Sequence, residues 1–563
     1  MISFTKVSYF LNCVDNKSSK KFIFLNIFFI FNSILQMVFI LSFFFFLKTL
    51  DTSEDIFKSE KVILLFDILK LEYNKIYFLY FFLIFGIFAN ISNILVNYFK
   101  TNFTTNFLTK TRTFFYEKYS ELSLNNFSRK NSSEYLNKII TQSERVCTVF
   151  LDSINNILLN IFLAIFILAP AIYYNSKITI YALISVSFAF VTISKIFKNK
   201  IKLFGKNVSY FSQNRIDLVN ILYKNFSEIK INLAQNFYKK VFYKNELKSN
   251  NINKFLSILS HSLKPTVELI LVILVFIFSL LIFFEIIQID NFQNILILTM
   301  VILYRLIPAA NTIYQSFNTI IFHYPAFENL DRELKTIIRE NKQDKILKSI
   351  NLDNLDINIK EIELKNIKFK INKNIILSNF NEKFNVDKII GLKGDSGSGK
   401  TTLLNILLGL YKQHKGKIFV NGKDTYIYHN INWFKLISYM AQDVNLLRAS
   451  IYQNIAFTLE EKKIDKRKIK KIISDLKLNK RFKNLDEIFI KSSGGEAQRL
   501  SLARSLYKNS RIILLDEPTN NLDKKNSEQL FNILNKLKKN RIIIIASHDQ
   551  FLLKKCDKIV ELK

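Results

Sequence analysis

Gly394-Asp395-Ser396-Gly397-Ser398-Gly399-Lys400-Thr401-Thr402 decides how the last third of this chain is read. The apolar run Lys388 to Leu392 enters it as a buried strand, and Thr402 to Leu408 leaves it as a helix. The spacing G-x-x-x-x-G-K-T between a strand and a helix is a phosphate-binding loop. Its glycines let the backbone curl until successive N–H groups and the helix N-terminus point at phosphate oxygens. Lys400 brings a mobile positive charge to the β- and γ-phosphates, and the Thr401 hydroxyl suits Mg²⁺. The whole stretch from Gly394 to Thr402 is therefore expected to hold a nucleotide.

Further along, Arg511-Ile512-Ile513-Leu514-Leu515-Asp516-Glu517 reads as a buried strand that delivers two carboxylates at its end. Asp516 suits Mg²⁺, and Glu517 is placed to orient or deprotonate an attacking water, as phosphoryl transfer requires. Between the two motifs lies Ser492-Ser493-Gly494-Gly495-Glu496-Ala497-Gln498-Arg499-Leu500, followed by a helical run. Backbone N–H groups at Ser493, Gly494 and Gly495, beside a helix start, make a second nest for anions. Strand and helix patterns alternate from Asn358 onward, which indicates an α/β domain over residues 358–563.

The first 327 residues have a different composition. Many of the chain's 55 Phe and 24 Tyr fall there, in runs such as Phe43-Phe44-Phe45-Phe46. A bilayer span needs about 20 mostly apolar residues. Segments 22–47, 76–98, 154–174, 178–196, 266–287 and 295–320 meet or approach that length. The third and fourth are separated by Asn175, Ser176 and Lys177, a tight hairpin. Arg305, Pro308 and Asn311 interrupt the sixth, so it faces a polar cavity or bends where neighbours satisfy its backbone. Lysine-rich loops at 198–264 and 100–145 place those segments on the cytoplasmic side, with both termini and the α/β domain. Their helical periodicity extends the helices beyond the bilayer, with turns expected near 133–142 and 217–228. Residues 328–357 become charged and lose the apolar runs, which marks a linker. The net charge of +34 is assigned to anionic lipid headgroups beside the spans. Nucleic acid is not expected as a partner, because no basic stripe interleaves with stacking aromatics. Cys13, Cys147 and Cys556 are too scattered for a disulfide framework or metal site, and no removable signal peptide is expected.

The order of phosphate loop, Gln442, Ser-Ser-Gly-Gly-Glu, Leu-Leu-Asp-Glu-Pro, Asn-Asn-Leu-Asp and Ser547-His548-Asp549 resembles the nucleotide-binding domain of ATP-binding cassette (ABC) transporters. The preceding spans and long inside loops resemble the membrane half of a type I ABC exporter. The resemblance implies a fold of six transmembrane helices in an α-helical bundle, followed by an α/β P-loop NTPase domain. It implies ATP and Mg²⁺ as cofactors and ATP hydrolysis coupled to transport. Gln442 matches the glutamine that contacts Mg²⁺ and the attacking water, and His548 the switch histidine at the γ-phosphate. Asp523 matches the aspartate that links two sites across a dimer. In this family the Ser493-Gly494-Gly495 nest closes on ATP held by the other subunit. A chain with one membrane half and one cassette then pairs, most simply with a second copy of itself, the alternative being a related half-transporter.

Three departures stand out. Ser492 and Glu496 occupy signature positions where the family usually has Leu and Gln. The aromatic residue that usually stacks on adenine falls at Ile371, and Phe369 on the same strand face is its nearest substitute. The segment 484–491 before the signature is short. Tyr304 to Asn311, Tyr324-Pro325-Ala326 and Lys264 to Glu268 look like segments of exporters that flip lipid-linked oligosaccharides. Arg305 would then help hold an anionic pyrophosphate headgroup, and otherwise forms a buried pair with Glu268 or snorkels to the interface. The expected activity is ATP-driven export or flipping of an amphipathic, lipid-linked glycan across an inner or plasma membrane. A multidrug, lipid or peptide exporter with the same engine is the alternative, and a soluble cassette ATPase acting on ribosomes or DNA is a third class.

Overall fold

The computed structural model describes residues 4–562 apart from 51–75, 175, 284–291, 350–357, 372–373, 459, 477, 480, 483, 489–493 and 521–523. They fall into two compact units, one within Met1–Ser120 and Lys130–Ile338, the other within Glu121–Arg129 and Arg339–Lys563.

The first unit is built from helices. A short α1 (Phe4–Val14) precedes α2 (Ser18–Leu50) and α3 (Ile76–Ser120). After Glu121–Arg129, which is grouped with the second unit and carries α4 (Leu124–Phe127), α5 (Ser132–Leu136) runs through two π-helical stretches, Asn137–Gln142 and Arg145–Phe150, into α6 (Leu151–Tyr174). Then come α7 (Ser176–Lys224), α8 (Phe226–Ile231), α9 (Gln235–Phe283) and α10 (Phe292–Ser349). The 45 residues of α3 span about 68 Å, more than twice the ~30 Å hydrocarbon core of a bilayer. Its later turns therefore project beyond any membrane it crosses.

α2 shows why these helices belong in lipid. Its inward face carries Phe29, Asn32, Ser33, Gln36 and Ile40, with Asn32 and Ser33 fully buried, while Phe24, Ile27 and Phe31 are exposed. A water-soluble helix has the reverse pattern, polar outside and apolar inside. The Gln36 amide donates to the Ala89 carbonyl of α3 at 2.9 Å, which satisfies a polar group inside the packed pair. Among the described residues, Ser18–Phe46, Ile76–Ser120 and Ser132–Ala169 are long and apolar enough to cross a membrane. The other expected spans, 178–196, 266–287 and 295–320, fall largely on residues whose side chains lie outside the described set, as do those of Glu268 and Arg305.

The segments expected on the cytoplasmic side differ in detail from expectation. The first reversal comes at 121–131, earlier than 133–142, because Ser123 accepts from the Asn126 N–H and starts α4 there. Asn131, extended at φ −75° and ψ 154°, then precedes the returning helix, so Ser132 and Ser133 begin α5 and are not the turn. The second short helix, α8, overlaps the end of the expected 217–228 window. α10 is unbroken despite Pro308 and Pro325, with the Thr312 hydroxyl donating to the Pro308 carbonyl at 2.8 Å.

Two buried polar nodes tie the far part of α10 to the other helices. Glu333 is 6% exposed and accepts from Tyr119 at 3.0 Å, and also from Lys130 and Lys138. Burial pushes the Glu333 carboxyl up, but the two lysines outweigh it and hold it below the usual carboxylate range. Arg145 donates to His323 Nδ1 at 3.2 Å and to the Ser209 hydroxyl at 3.0 Å. Nearby, a Cβ placed on Gly205 of α7 would lie 2.0 Å from the Phe322 carbonyl oxygen of α10.

The second unit is α/β. An antiparallel sheet has the order β2-β1-β4-β5, formed by Asn374–Asn385, Glu361–Ile371, Lys415–Val420 and Lys423–Asp424. A parallel sheet has the order β6-β7-β8-β3-β9, formed by Ile437–Met440, Ile512–Asp516, Ile542–Ala546, Lys388–Lys393 and Lys558–Glu561. β7 and β8 are buried along their whole length, which is why they read as continuous apolar runs.

Candidate nucleotide site

β7, β8 and β3 are neighbours in the parallel sheet, so their carboxyl ends open on one edge. That edge is where α/β sheets place ligands. β3 feeds the loop Gly394 to Gly399, and α11 (Lys400–Leu407) leaves it. Gly399 stands just before the helix at φ +93°, a left-handed backbone that favours glycine, and Gly397 is at φ +87°. A Cβ on Gly394 would lie 2.4 Å from Ser398 Oγ and 2.7 Å from the Leu562 carbonyl. The loop therefore folds tightly against the end of the sheet. Asp395 and Ser396 are exposed at its tip, and Thr402 is half-buried in the first turn of α11.

Lys400 is 7% exposed, and its ammonium donates to the carbonyls of Gly394 at 2.7 Å and Asp395 at 3.1 Å. It also lies 3.0 Å from His548 Nε2. β7 ends in Asp516, 2% exposed, followed by Glu517, 5% exposed. Burial raises the Asp516 carboxyl above its ordinary value, partly offset by hydrogen bonds with Thr401 and Tyr439 and by the Lys400 charge. The Tyr439 hydroxyl stands 3.4 Å from Asp516 Oδ2, and burial pushes that phenol upward.

Glu517 adopts φ +51°, unusual for a residue with a side chain, and its N–H donates to the Ala546 carbonyl at 2.8 Å. Its Oε2 accepts from the His548 N–H at 3.3 Å and faces the Ser547 hydroxyl at 3.5 Å. Its Oε1 is buried, with no hydrogen-bond partner among the described residues. One oxygen is thus fixed by the segment after β8 and the other is free to accept. Gln442 follows β6 at the same edge, two residues after Met440, with its side chain exposed.

These residues fit a nucleoside triphosphate with a hard divalent cation. Ser398 Oγ and Glu517 Oε1 are buried without partners among the described residues, and Thr401 and Asp516 together offer hydroxyl and carboxylate oxygens. Gly494 and Gly495 begin the helix α15 (Gly494–Tyr507, following α12 at Ile431–Leu436, α13 at Ile451–Ala456 and α14 at Lys466–Asp475). Ser492, Ser493 and Asp523 lie outside the described residues.

Three features escaped sequence reasoning. Tyr439 reaches Asp516 only because β6 pairs with β7, with Tyr439 opposite Leu514. Glu496, at the altered signature position, accepts from Arg481 Nε at 2.7 Å, a partner 15 residues earlier that no spacing rule identifies. Phe369 is no substitute at the base-binding face. It is 4% exposed and stacks on Tyr411 at 5.1 Å, with His414 at its edge, so the core claims its ring, whereas Ile371 is 44% exposed.

The ABC transporter family model matches residues 377–520. The lipoprotein-releasing system ATP-binding protein LolD of Rickettsia typhi is 35% identical over 195 residues, covering 33% of this chain and 86% of that protein. LolD of Blochmanniella floridana is 38% identical over 200 residues, covering 33% and 82%. A putative export ATP-binding/permease protein of Rickettsia felis is 33% identical over 179 residues, and the match spans 31% of either chain. The chain thus aligns with about a third of the length of such export proteins. A bacterial Atm1-family ABC exporter with ATP bound superposes with a TM-score of 0.75 at 15% identity, over 98% of this chain and 94% of that one. That likeness covers the helical unit as well as the α/β unit and extends the exporter fold to nearly the whole chain. The match to LolD over most of its length, with the family model over residues 377–520, makes the chain a member of the ABC transporter family.

Proposed function

We propose that this chain is one half of an ATP-driven exporter that pairs with a second copy of itself and moves an amphipathic, lipid-linked glycan out across an inner or plasma membrane. The observation that carries the reading is the convergence of Lys400, Asp516, Glu517 and His548 at one sheet edge, in a chain that also bears long apolar helices. Lys400 binds the β- and γ-phosphates of ATP, and Gly394 to Thr402 wrap them with backbone N–H groups. Thr401 and Asp516, with Gln442, would hold Mg²⁺, which when bound neutralises phosphate charge. Glu517 orients the attacking water through Oε1 and takes its proton. His548 steadies Glu517 through its backbone N–H, and its ring contacts the γ-phosphate. Ser493, Gly494 and Gly495 of one copy close on the ATP of the other, and Asp523 links the two sites.

Closure with ATP between two cassettes favours one conformation of the helical units, and loss of the γ-phosphate releases it. Cytoplasmic placement of both termini and the cassette follows from the lysine-rich loops. The glycan-lipid cargo rests on the resemblance of 264–268, 304–311 and 324–326 to flippase segments. The lipoprotein-releasing relatives match only a third of this chain, so they carry no argument about cargo. The test is ATPase activity in liposomes with lipid-linked sugars, other lipids, drugs and peptides. Stimulation by a lipid-linked sugar is expected. Silence toward every glycan lipid beside strong stimulation by a drug, lipid or peptide selects the alternative exporter class, and intact chain in the soluble fraction rejects both.

A further inference from the structure

α2 and α3 run antiparallel, as the pairs Phe22 with Phe103, Phe28 with Phe99 and Gln36 with Ala89 require. Between their lower turns lies an open-sided cleft of about 150 Å³. Its lining changes character along its length. Phe24 and Phe28 of α2 and Phe99 of α3 line one end. Lys21 and Lys110 line the other, with Asn106 beside them. On α2, Lys21, Phe24 and Phe28 are spaced i, i+3 and i+7, so they share one face over about 10 Å. On α3, eleven residues, or about 16 Å, separate Phe99 from Lys110.

The cleft is therefore graded from aromatic to cationic on two helices long and apolar enough to cross a membrane. Its charge is cancelled only in part, because Asp15 neutralises Lys110 and leaves Lys21 unpaired among the described residues. Lys110 donates to Asp15 at 2.6 Å, and that carboxyl, held by Lys110 and Ser18, is pulled down to about 2. An ammonium has three N–H donors, so the Asp15 bond leaves two on Lys110. Lys21 is exposed and makes no ion pair among the described residues. Lys17 and Lys20 add exposed positive charge at the same end of α2 but do not line the cleft.

We propose that this cleft is a binding site for one anionic glycerophospholipid. The phosphodiester headgroup lies at Lys21, Lys110 and Asn106, and an acyl chain runs over Phe24, Phe28 and Phe99. Charge complementarity selects the headgroup, because a zwitterionic lipid brings its own cation to the lysine end. The aromatic end excludes a free anion as the natural occupant, since inorganic phosphate would leave it uncovered. None of the residues lining the cleft belongs to the nucleotide site.

The test uses the full chain in detergent, titrated with equal concentrations of palmitoyl-oleoyl phosphatidylglycerol and phosphatidylcholine and read by native mass spectrometry. One retained phosphatidylglycerol, preferred over phosphatidylcholine, is expected. Lys21→Gln reduces that preference about fivefold, the effect of one lysine on an anionic lipid. Lys20→Gln, outside the cleft, leaves it unchanged. Equal retention of the two lipids overturns the proposal, as does an equal effect of the two substitutions, which would mean diffuse surface charge. Competition by millimolar inorganic phosphate would make it a phosphate site and also overturn it. Basal ATPase activity is measured in each variant, because neither lysine belongs to the nucleotide edge, and both variants should keep it.

Discussion

Gly205→Ala is the most informative single perturbation of the helical unit, because the relevant contact is with backbone and cannot swing away. The added Cβ would sit 2.0 Å from the Phe322 carbonyl oxygen, 2.9 Å from its carbon and 3.3 Å from its Cα. A carbon and a carbonyl oxygen rest at about 3.3 Å or more, so α7 and α10 must separate locally by more than an ångström. Ile201, Ile321 and Phe322 pack around this crossing and lose contact as it opens, at a cost of about 1–3 kcal/mol. The same movement stretches the Ser209 and His323 bonds of Arg145, now 3.0 and 3.2 Å, and strips partners from a buried guanidinium for another ~1–3 kcal/mol. Alanine returns about 1 kcal/mol through its better helix propensity. The net loss is about 1–5 kcal/mol. Measured as apparent Tm of the purified full chain at one scan rate, that is a drop of about 1–7 °C, because a helical unit of roughly 330 residues has a large unfolding entropy. The control is Gly86→Ala, whose Cβ meets only the Phe39 ring edge at 3.0 Å, where a side chain can yield. A Gly205→Ala protein that melts at or above the wild-type temperature would refute the reasoning, because only helix propensity would then have acted.

Glu517→Gln keeps the shape of the side chain and removes its basicity, so ATP binding is retained while hydrolysis falls by at least ~100-fold, measured as phosphate release beside nucleotide binding. Unchanged turnover would remove Glu517 from its role. His323 is kept neutral, since burial and then the Arg145 charge push its imidazole down to about 3 from 6.5. The unfolded chain takes up a proton below about pH 6.5 that the folded chain refuses until about pH 3. Stability is therefore full above that window and declines through it by about 1.4 kcal/mol per pH unit. His323→Gln, which keeps an acceptor for Arg145, should flatten the fall in Tm between pH 6.5 and 5, and an unchanged slope would discount the histidine. Arg481→Ala leaves the Glu496 carboxylate unneutralised on the helix Gly494–Tyr507, which in the closed pair proposed above would oppose the γ-phosphate. The apparent KM for ATP should rise several-fold, and Glu496→Gln in the same chain should restore it; an equal rise in both backgrounds would show that the pair is structural.

The cassette was largely legible in its sequence because its chemistry is local. A phosphate loop needs glycines, a lysine and a hydroxyl within nine residues, and a buried parallel strand announces itself by an unbroken apolar run such as Ile512 to Leu515. The helical unit was legible in lengths but not in contacts. Glu333 meets Lys130 and Lys138 across about 200 positions, and Arg145 meets His323 across 178. Lysines and glutamates are common here, so no spacing rule singles out those pairs. The first inside turn was misplaced by some ten residues, since capping by Ser123 is a matter of backbone angle that Ser132 and Ser133 imitate in composition. Phe369 was misjudged for a related reason: an alternating strand places it on a face, but only the packing of Tyr411 reveals that the face is the core.

Ile371 carries a consequence for supply. With Phe369 turned inward and an aliphatic side chain at the exposed end of the strand, a base resting there would meet a greasy surface and no ring from position 369 or 371. The triphosphate would then provide most of the affinity, and adenine would be distinguished from guanine only weakly. Such an engine would run on ATP because a cell keeps more of it than of any other triphosphate, and its choice of fuel would be made by supply.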